Sequence, residues 1–412
     1  NPVGDLLHEL CKADTFFDHR TGDGIVLSPP EAARHLVAAQ AFGRWMLKGV
    51  YGQLPFGTCA RGIIFFAKGA TLFEDLALNL IRYPTRGDVM PCVEGSDVPS
   101  WEMDDPFEPK RTLPFGYLDY LTWLSRRVLL VPAQQDGRVF VRFAKIAPGL
   151  RMTDDMRNPA MQHKNRKKRG WKSWLAFSED RALWRDSATI LQLPPSQGHE
   201  GEDLCPPAVL EWLATLVSNG ELNVNQSRRL AGMGMAGDLN QYRVHFYRRE
   251  ELPLPLDYLK DQKGRNLVYH LDQAITLAEN AWHQLWGALS SLAVEVLFHK
   301  EAQALSEAER DQRNAMLTSW GAERHYWAAL ELPFYTFIQD LPAHTQPARA
   351  TWAGVVRRAV WQALEGAIAG LGEDPPALKA AVSARGQLGA GLHKVFDGWP
   401  GSQQNEEVNH AR

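Results

Sequence analysis

The sequence has little cysteine. Cys11, Cys59, Cys92 and Cys205 are scattered over 412 residues, and none stands in a Cys-x-x-Cys or Cys/His arrangement with zinc spacing. A chain of this size does not need a disulfide framework, so a reducing, cytoplasmic setting fits. No apolar run is long enough to span a bilayer, and the first residues carry no secretory signal pattern, which argues against a membrane partner. Charge of one sign is not in excess either. The formal net charge is −3, so any nucleic-acid binding must come from local patches.

Catalytic motifs are also missing. The chain has no Gly-x-x-x-x-Gly-Lys-Ser/Thr phosphate loop, no Gly-x-Gly-x-x-Gly opening a helix, no Gly-x-Ser-x-Gly and no His-Glu-x-x-His. The acid pairs Asp104-Asp105, Asp154-Asp155 and Glu250-Glu251 are adjacent, and adjacent side chains point apart in most backbone states. His325, within Ala322-Glu-Arg-His-Tyr326, suits core packing or an ion pair better than catalysis. The reading is a protein with no catalytic residue, no metal and no cofactor. An enzyme with an unrecognised site would instead need acids or histidines clustered in space.

What is present is an ordinary globular composition, 45% hydrophobic and 23% charged, with 14 tryptophans. The length suggests two or three domains. Ser28-Pro-Pro-Glu31 is a helix start, and the helix is expected over residues 30–48 with Ala33, Val37, Ala41 and Trp45 on one face. Ile63–Phe66 reads as a strand. Residues 71–82 read as a helix striped by Leu72, Leu76 and Leu80. Residues 84–116 form an irregular connection packed by Trp101, and Leu118–Arg127 a short helix. Val128–Val131, Asp136-Gly137 and Arg138–Phe143 make the best β-hairpin in the chain. Pro207–Val217 reads as a helix and Arg243–Arg248 as a strand.

After Pro255 the pattern changes. Leu267, Leu271, Ala274, Ala278, Trp282, Leu285, Leu289, Leu292 and Val296 fall at steps of three and four, which makes one long amphipathic helix. Residues 306–340, with Pro333 as a kink, and residues 346–370 and 375–396 supply three more. The fold class is therefore α+β: a mixed N-terminal domain with small antiparallel sheets and helices (1–255), then a C-terminal four-helix bundle (256–400) and a frayed tail (401–412).

Two stretches carry the binding chemistry. Gly232-Met-Gly-Met-Ala-Gly-Asp-Leu-Asn-Gln-Tyr242 has three glycines, each unfavourable in a helix or a central strand. It reads as a shaped loop presenting Asn240 and Gln241, whose side chains both donate and accept and can contact a base edge; a plain turn is the alternative. Between Arg142 and Lys172 a run of lysines and arginines faces only Asp154 and Asp155, with Trp171 and Trp174 close by. Bases interleaved with aromatics suit a nucleic-acid backbone; a solvated loop with core tryptophans is the alternative.

In order along nearly the whole chain, Leu72-Phe-Glu-Asp-Leu-Ala-Leu-Asn-Leu80, Pro99-Ser-Trp-Glu102 with Leu121-Thr-Trp-Leu-Ser-Arg-Arg127, Ala182-Leu-Trp-Arg-Asp186, the Gly232–Tyr242 stretch and Ala322-Glu-Arg-His-Tyr326 resemble blocks of the CasA family, the large subunit of the type I-E CRISPR Cascade surveillance complex. That family has roughly a hundred further residues ahead of the position of Asn1, absent here, trimmed or carried on another chain. The resemblance implies a subunit that sits at the crRNA 5′ handle among other Cascade subunits. It would read the protospacer-adjacent motif (PAM) of double-stranded DNA from the minor groove, start strand separation and R-loop formation, and recruit a helicase-nuclease for antiviral defence. A purely structural subunit without PAM readout is the alternative.

Residue by residue, the resemblance places Gln241 on the family's glutamine wedge and Asn240 on its neighbour, with Leu239 and Tyr242 departing from the pattern. Lys145 falls on the lysine finger, with Arg142 or Arg151 as substitutes; its ammonium can donate to minor-groove acceptors. Gly52 falls on the glycine loop, with Gly57 as the second choice, and Phe17 near the segment that docks on the crRNA handle. Lys164, Arg166, Lys167, Lys168 and Arg169 match no motif; from charge alone they are expected to grip DNA phosphates outside the PAM.

Overall fold

The computed structural model describes residues 2–7, 24–43, 46–47, 53–54, 56–82, 95–108, 111–153, 158–165, 172–193, 204–226, 228–238, 243–299, 305–372 and 374–400. The chain forms two compact units. The first holds Asn1–Leu183, Ile190–Asn223 and Arg228–Glu251; the second holds Trp184–Thr189, Val224–Ser227 and Leu252–Arg412.

In chain order the elements up to the bundle are α1 (Pro29–Phe42), β1 (Met46–Leu47), β2 (Gln53–Leu54), β3 (Ile64–Lys68), α2 (Leu72–Leu78), α3 (Tyr117–Leu121), β4 (Arg126–Gln135), β5 (Arg138–Pro148), β6 (His163–Asn165), β7 (Lys172–Trp174), α4 (Ser187–Leu191), β8 (Leu204–Cys205), α5 (Ala208–Ser218), β9 (Arg228–Asp238) and β10 (Arg243–Leu254). Among the described residues the strands form four small sheets, ordered β1-β2, β10-β9-β3, β4-β5 and β7-β6-β8.

The expected start of α1 is present. The Glu31 carboxylate accepts from the Ser28 hydroxyl at 2.7 Å and from the Ser28 N–H at 2.9 Å, which together hold its carboxyl below the usual range. The helix stops at Phe42, well short of residue 48, and Val37 is exposed. Its buried face is set by Ala32 and Ala39, two turns apart, because small side chains let the helix lie close to β4 and β5. With Val3, Leu6, Leu7, Ile25, Leu27, Val141 and Ala144 they form one core cluster.

The leucine stripe of α2 is open to solvent, and one expected apolar contact is overturned. Leu72, Leu76 and Leu80 are 74%, 66% and 74% exposed. The helix α2 is held by its polar side instead: Asn79 exchanges hydrogen bonds with the Ala67 backbone at 2.8 and 2.9 Å, and Asp75 takes the Lys68 ammonium and the Gly69 N–H. Trp101 is exposed as well, so it does not pack the connection around it. There Asp97 accepts from the N–H groups of Tyr117 and Asp119 at 3.0 and 3.1 Å, and buried Asp119 pairs with Arg111, whose guanidinium lies over Phe115 and Trp123. The helix α3 ends at Leu121, earlier than expected, because the chain is already entering β4 at Arg126.

The glycine-rich stretch is a strand as far as Asp238. β9 is the middle strand of its sheet and pairs antiparallel with β3, Gly232 opposite Phe65 and Met233 opposite Ile64. A Cβ at Gly232 would lie 2.9 Å from Ile63 Cγ2 and 3.0 Å from Leu183 Cδ2, and one at Gly234 would lie 3.1 Å from the Gly62 carbonyl oxygen. Close packing, not loop geometry, is the reason for these glycines.

The second unit is built on α6 (Asp261–Phe298), followed by α7 (Glu307–Trp320), α8 (Ala322–Asp340), α9 (Thr345–Ala369) and α10 (Pro375–Val395). The helix α6 contacts all four. Its expected stripe is in place, with Leu267, Leu271, Ala274, Ala278, Leu285, Leu289 and Leu292 buried. The break in residues 306–340 falls at Gly321 and not at Pro333. Gly321 has φ 61°, which favours glycine, and Pro333 stays inside α8. Trp184 packs against Phe334, Trp327 and Trp352 at centroid distances of 4.4, 5.9 and 6.3 Å. The buried polar tips of Tyr326, Trp352 and Tyr258 donate to carbonyl oxygens of Ala278, Ala274 and Ile338.

Candidate nucleic-acid interface

The β4–β5 hairpin turns at Asp136 and Gly137, with φ values of 51° and 73°; both central residues are left-handed, as a two-residue hairpin turn demands. Its inner face, with Val128, Leu130, Val141, Ala144 and Ile146, packs on the core below. Its outer face is open to solvent. Lys145 lies there, exposed, directly opposite Leu129.

The pairing is irregular at one place. Val131 pairs with Phe143 and Pro132 with Val141, which leaves Arg142 as the extra residue of a β-bulge. The bulge resets the alternation, so Arg142 and Phe143 are both exposed and Ala144 returns to the core. Arg142 lies over the Phe140 ring at 5.0 Å, and Arg127 lies over Phe107 at 4.3 Å. Arg127, Arg138, Arg142 and Lys145 are exposed along the hairpin, and Asp136, at the turn, is its only acid. Leu129, Val131 and Phe143 join them on the solvent side. Simple alternation would have buried Phe143, so these apolar members were not foreseen; the bulge is what places Phe143 outside.

Most of the other expected contacts fall outside the described residues. Asn240 and Gln241 lie outside the described residues, between the end of β9 at Asp238 and the start of β10 at Arg243. Gly52 and Phe17 also lie outside them. Gly57 is described: a Cβ there would meet the Ala41 carbonyl oxygen at 2.4 Å, so its bare backbone is occupied by the end of α1. Arg151 is exposed just past β5. Lys164 sits on β6 opposite Ser173 and Leu204, and Arg166, Lys167, Lys168 and Arg169 lie outside the described residues. Among these residues the structure brings only Lys145 and Arg142 onto one described surface.

Of the groups weighed for catalysis, Asp154 and Asp155 lie outside the described residues, and the described ones have structural partners or lie in the open. Glu250 accepts from the Leu183 N–H at 2.7 Å, and Glu251 bridges Arg229 and Arg249. His325 is exposed on α8, not in the core. Among the described residues no group of three or more histidines, cysteines or acids is placed to hold a metal, and no helix is long and apolar enough to cross a membrane.

The profile of CRISPR-associated protein Cse1 matches residues 4–363. A curated relative, CRISPR-associated protein CasA/Cse1 of Thermus thermophilus, is 28% identical over 395 residues, covering 94% of this chain and 74% of the relative. Among solved structures, Cse1 of Acidimicrobium ferrooxidans superposes with a TM-score of 0.73 at 23% identity, covering 91% of this chain and 74% of its own. A chain of a CRISPR RNA-guided surveillance complex superposes with a TM-score of 0.63 at 20% identity, covering 94% and 74%. Those two likenesses concern the fold. With the family profile matching most of its length, this chain belongs to the CRISPR-associated Cse1 family.

Proposed function

We propose that this chain is the large subunit of a type I-E Cascade surveillance complex and reads the PAM of double-stranded target DNA. In this reading Lys145 donates to base-edge acceptors in the minor groove, and Asn240 and Gln241 enter beneath the motif to split the duplex. Gly52 lets backbone approach the groove, the Lys164–Arg169 run holds phosphates, and Phe17 lies against the crRNA 5′ handle. The chain performs no catalysis and recruits the helicase-nuclease that degrades the DNA.

The observation that carries the reading is Lys145. It is exposed on a hairpin whose only acid is Asp136, at the far turn, in the same compact unit as the β9–β10 pair that flanks residues 239–242. A lysine held on a paired strand is a better probe of a groove than one on a free loop, because little conformational freedom is lost on contact.

The test is a binding assay of the assembled complex against a library of target duplexes randomised beside the protospacer. The parent complex selects a motif, and Lys145→Ala relaxes the selection, since a base-edge contact contributes about 1–3 kcal/mol of discrimination. Equal affinity for every library member would favour a structural subunit without readout.

A further inference from the structure

The outer face of the β4–β5 hairpin carries an aromatic ring that the contacts above do not use. Phe143 is 54% exposed, and its cross-strand partner Val131 and the diagonal Leu129 are also exposed. Leaving a phenyl ring in water forgoes the burial that the inner face exploits. The bulge makes the exposure a built feature: without Arg142 as the extra residue, Phe143 would point to the core.

The charge around the patch favours one kind of occupant. Arg142 adjoins Phe143 in sequence, Lys145 lies two residues along, and neither β4 nor β5 contains an acid. A ring set among cations suits a ligand that offers flat apolar surface and phosphates together, which describes a nucleotide. A base inside a duplex has both faces covered by its neighbours. Only an unpaired base has a face to give.

We propose that the outer face of the β4–β5 hairpin binds a strand of DNA that has left its duplex, with one base stacked on Phe143 against Val131 and Leu129 and the adjoining phosphate held by Arg142. The site rests on the DNA-opening function proposed above as the source of that strand. Lys145 and Phe143 are two residues apart on one strand, about 7 Å. That is the length of about two stacked base pairs, so one face can hold paired DNA at Lys145 and the first unpaired base at Phe143.

The test uses the full chain, a single-stranded oligonucleotide containing 2-aminopurine, and fluorescence read both as binding and as quenching by stacking. Phe143→Leu keeps the apolar bulk and removes the stacking face. It is expected to weaken binding about tenfold and to abolish quenching, with the melting temperature unchanged because the side chain is exposed. Phe143→Trp keeps the face and is expected to bind at least as tightly as the parent. Parent-like binding and quenching by Phe143→Leu would overturn the site, as would an equal loss in Phe143→Trp. If the assembled complex selects no motif while Phe143→Leu still loses binding and quenching, the PAM reading fails and this site stands. If motif selection holds and Phe143→Leu behaves as the parent, this site alone fails.

Discussion

Replacing Gly232 with alanine is predicted to destabilise the first unit by about 1–2 kcal/mol. The new Cβ would stand 2.9 Å from Ile63 Cγ2 and 3.0 Å from Leu183 Cδ2, well inside the roughly 3.5–4.0 Å that carbon atoms prefer. Both neighbours are 1% exposed, so neither can swing into solvent. Overpacking of this kind costs about 1–3 kcal/mol. The narrower conformational range of alanine in the unfolded chain offsets about 0.4–1 kcal/mol of it. Gly366→Ala on α9 is the control with the opposite sign, since nothing lies within 4 Å of its Cβ. There alanine gains about 0.5–1 kcal/mol from helix preference. Scanning calorimetry reads both, at about 2–4 °C per kcal/mol for a unit of 150–250 residues. Gly232→Ala should lower its transition and Gly366→Ala raise its own. A neutral or stabilising Gly232→Ala would mean that the stretch is the loosely packed loop its glycines suggest, and not the middle of a sheet.

Two further outcomes follow from the packing and the ion pairs. Trp184→Ala should cost about 3–5 kcal/mol in urea unfolding of the second unit, because the side chain is fully buried among Trp327, Phe334 and Trp352; a cost near zero would refute that cluster. The Asp75 carboxyl is held below its usual range by the Lys68 ammonium and the Gly69 N–H. A depressed folded value means that its contribution is complete above the unfolded value of about 3.9 and is lost as pH falls through the folded one. Melting temperature should therefore fall less steeply below about pH 4 in Asp75→Asn than in the parent, and identical profiles would contradict the pair.

The sequence made the hairpin and the bundle legible for physical reasons. Asp136-Gly137 can take the left-handed conformations a two-residue turn needs, and the stripe from Leu267 to Val296 keeps helical period over many turns. What was not legible depended on neighbours distant in the chain. Gly232 and Gly234 look like loop residues until Ile63, Leu183 and Gly62 are beside them. Leu72, Leu76 and Leu80 have the period of a buried face, yet polar bonds through Asp75 and Asn79 fix which side of α2 is held. Gly321 rather than Pro333 divides the helices because a left-handed residue breaks the helical run, whereas a proline removes one hydrogen bond that a packed helix tolerates. In the candidate interface, the hairpin that carries Lys145 was readable, but the exposure of Phe143 was not, because a bulge cancels the alternation of a regular strand.

The most direct test of the central claim is strand opening at the target by complexes assembled with Gln241→Ala. Opening is measured by permanganate reactivity of thymines next to the motif, with assembly checked by the mass of the complex. Assembly is expected to stay intact and contact with the duplex to be retained, with a marked loss of opening. Parent-like opening by Gln241→Ala would contradict the claim.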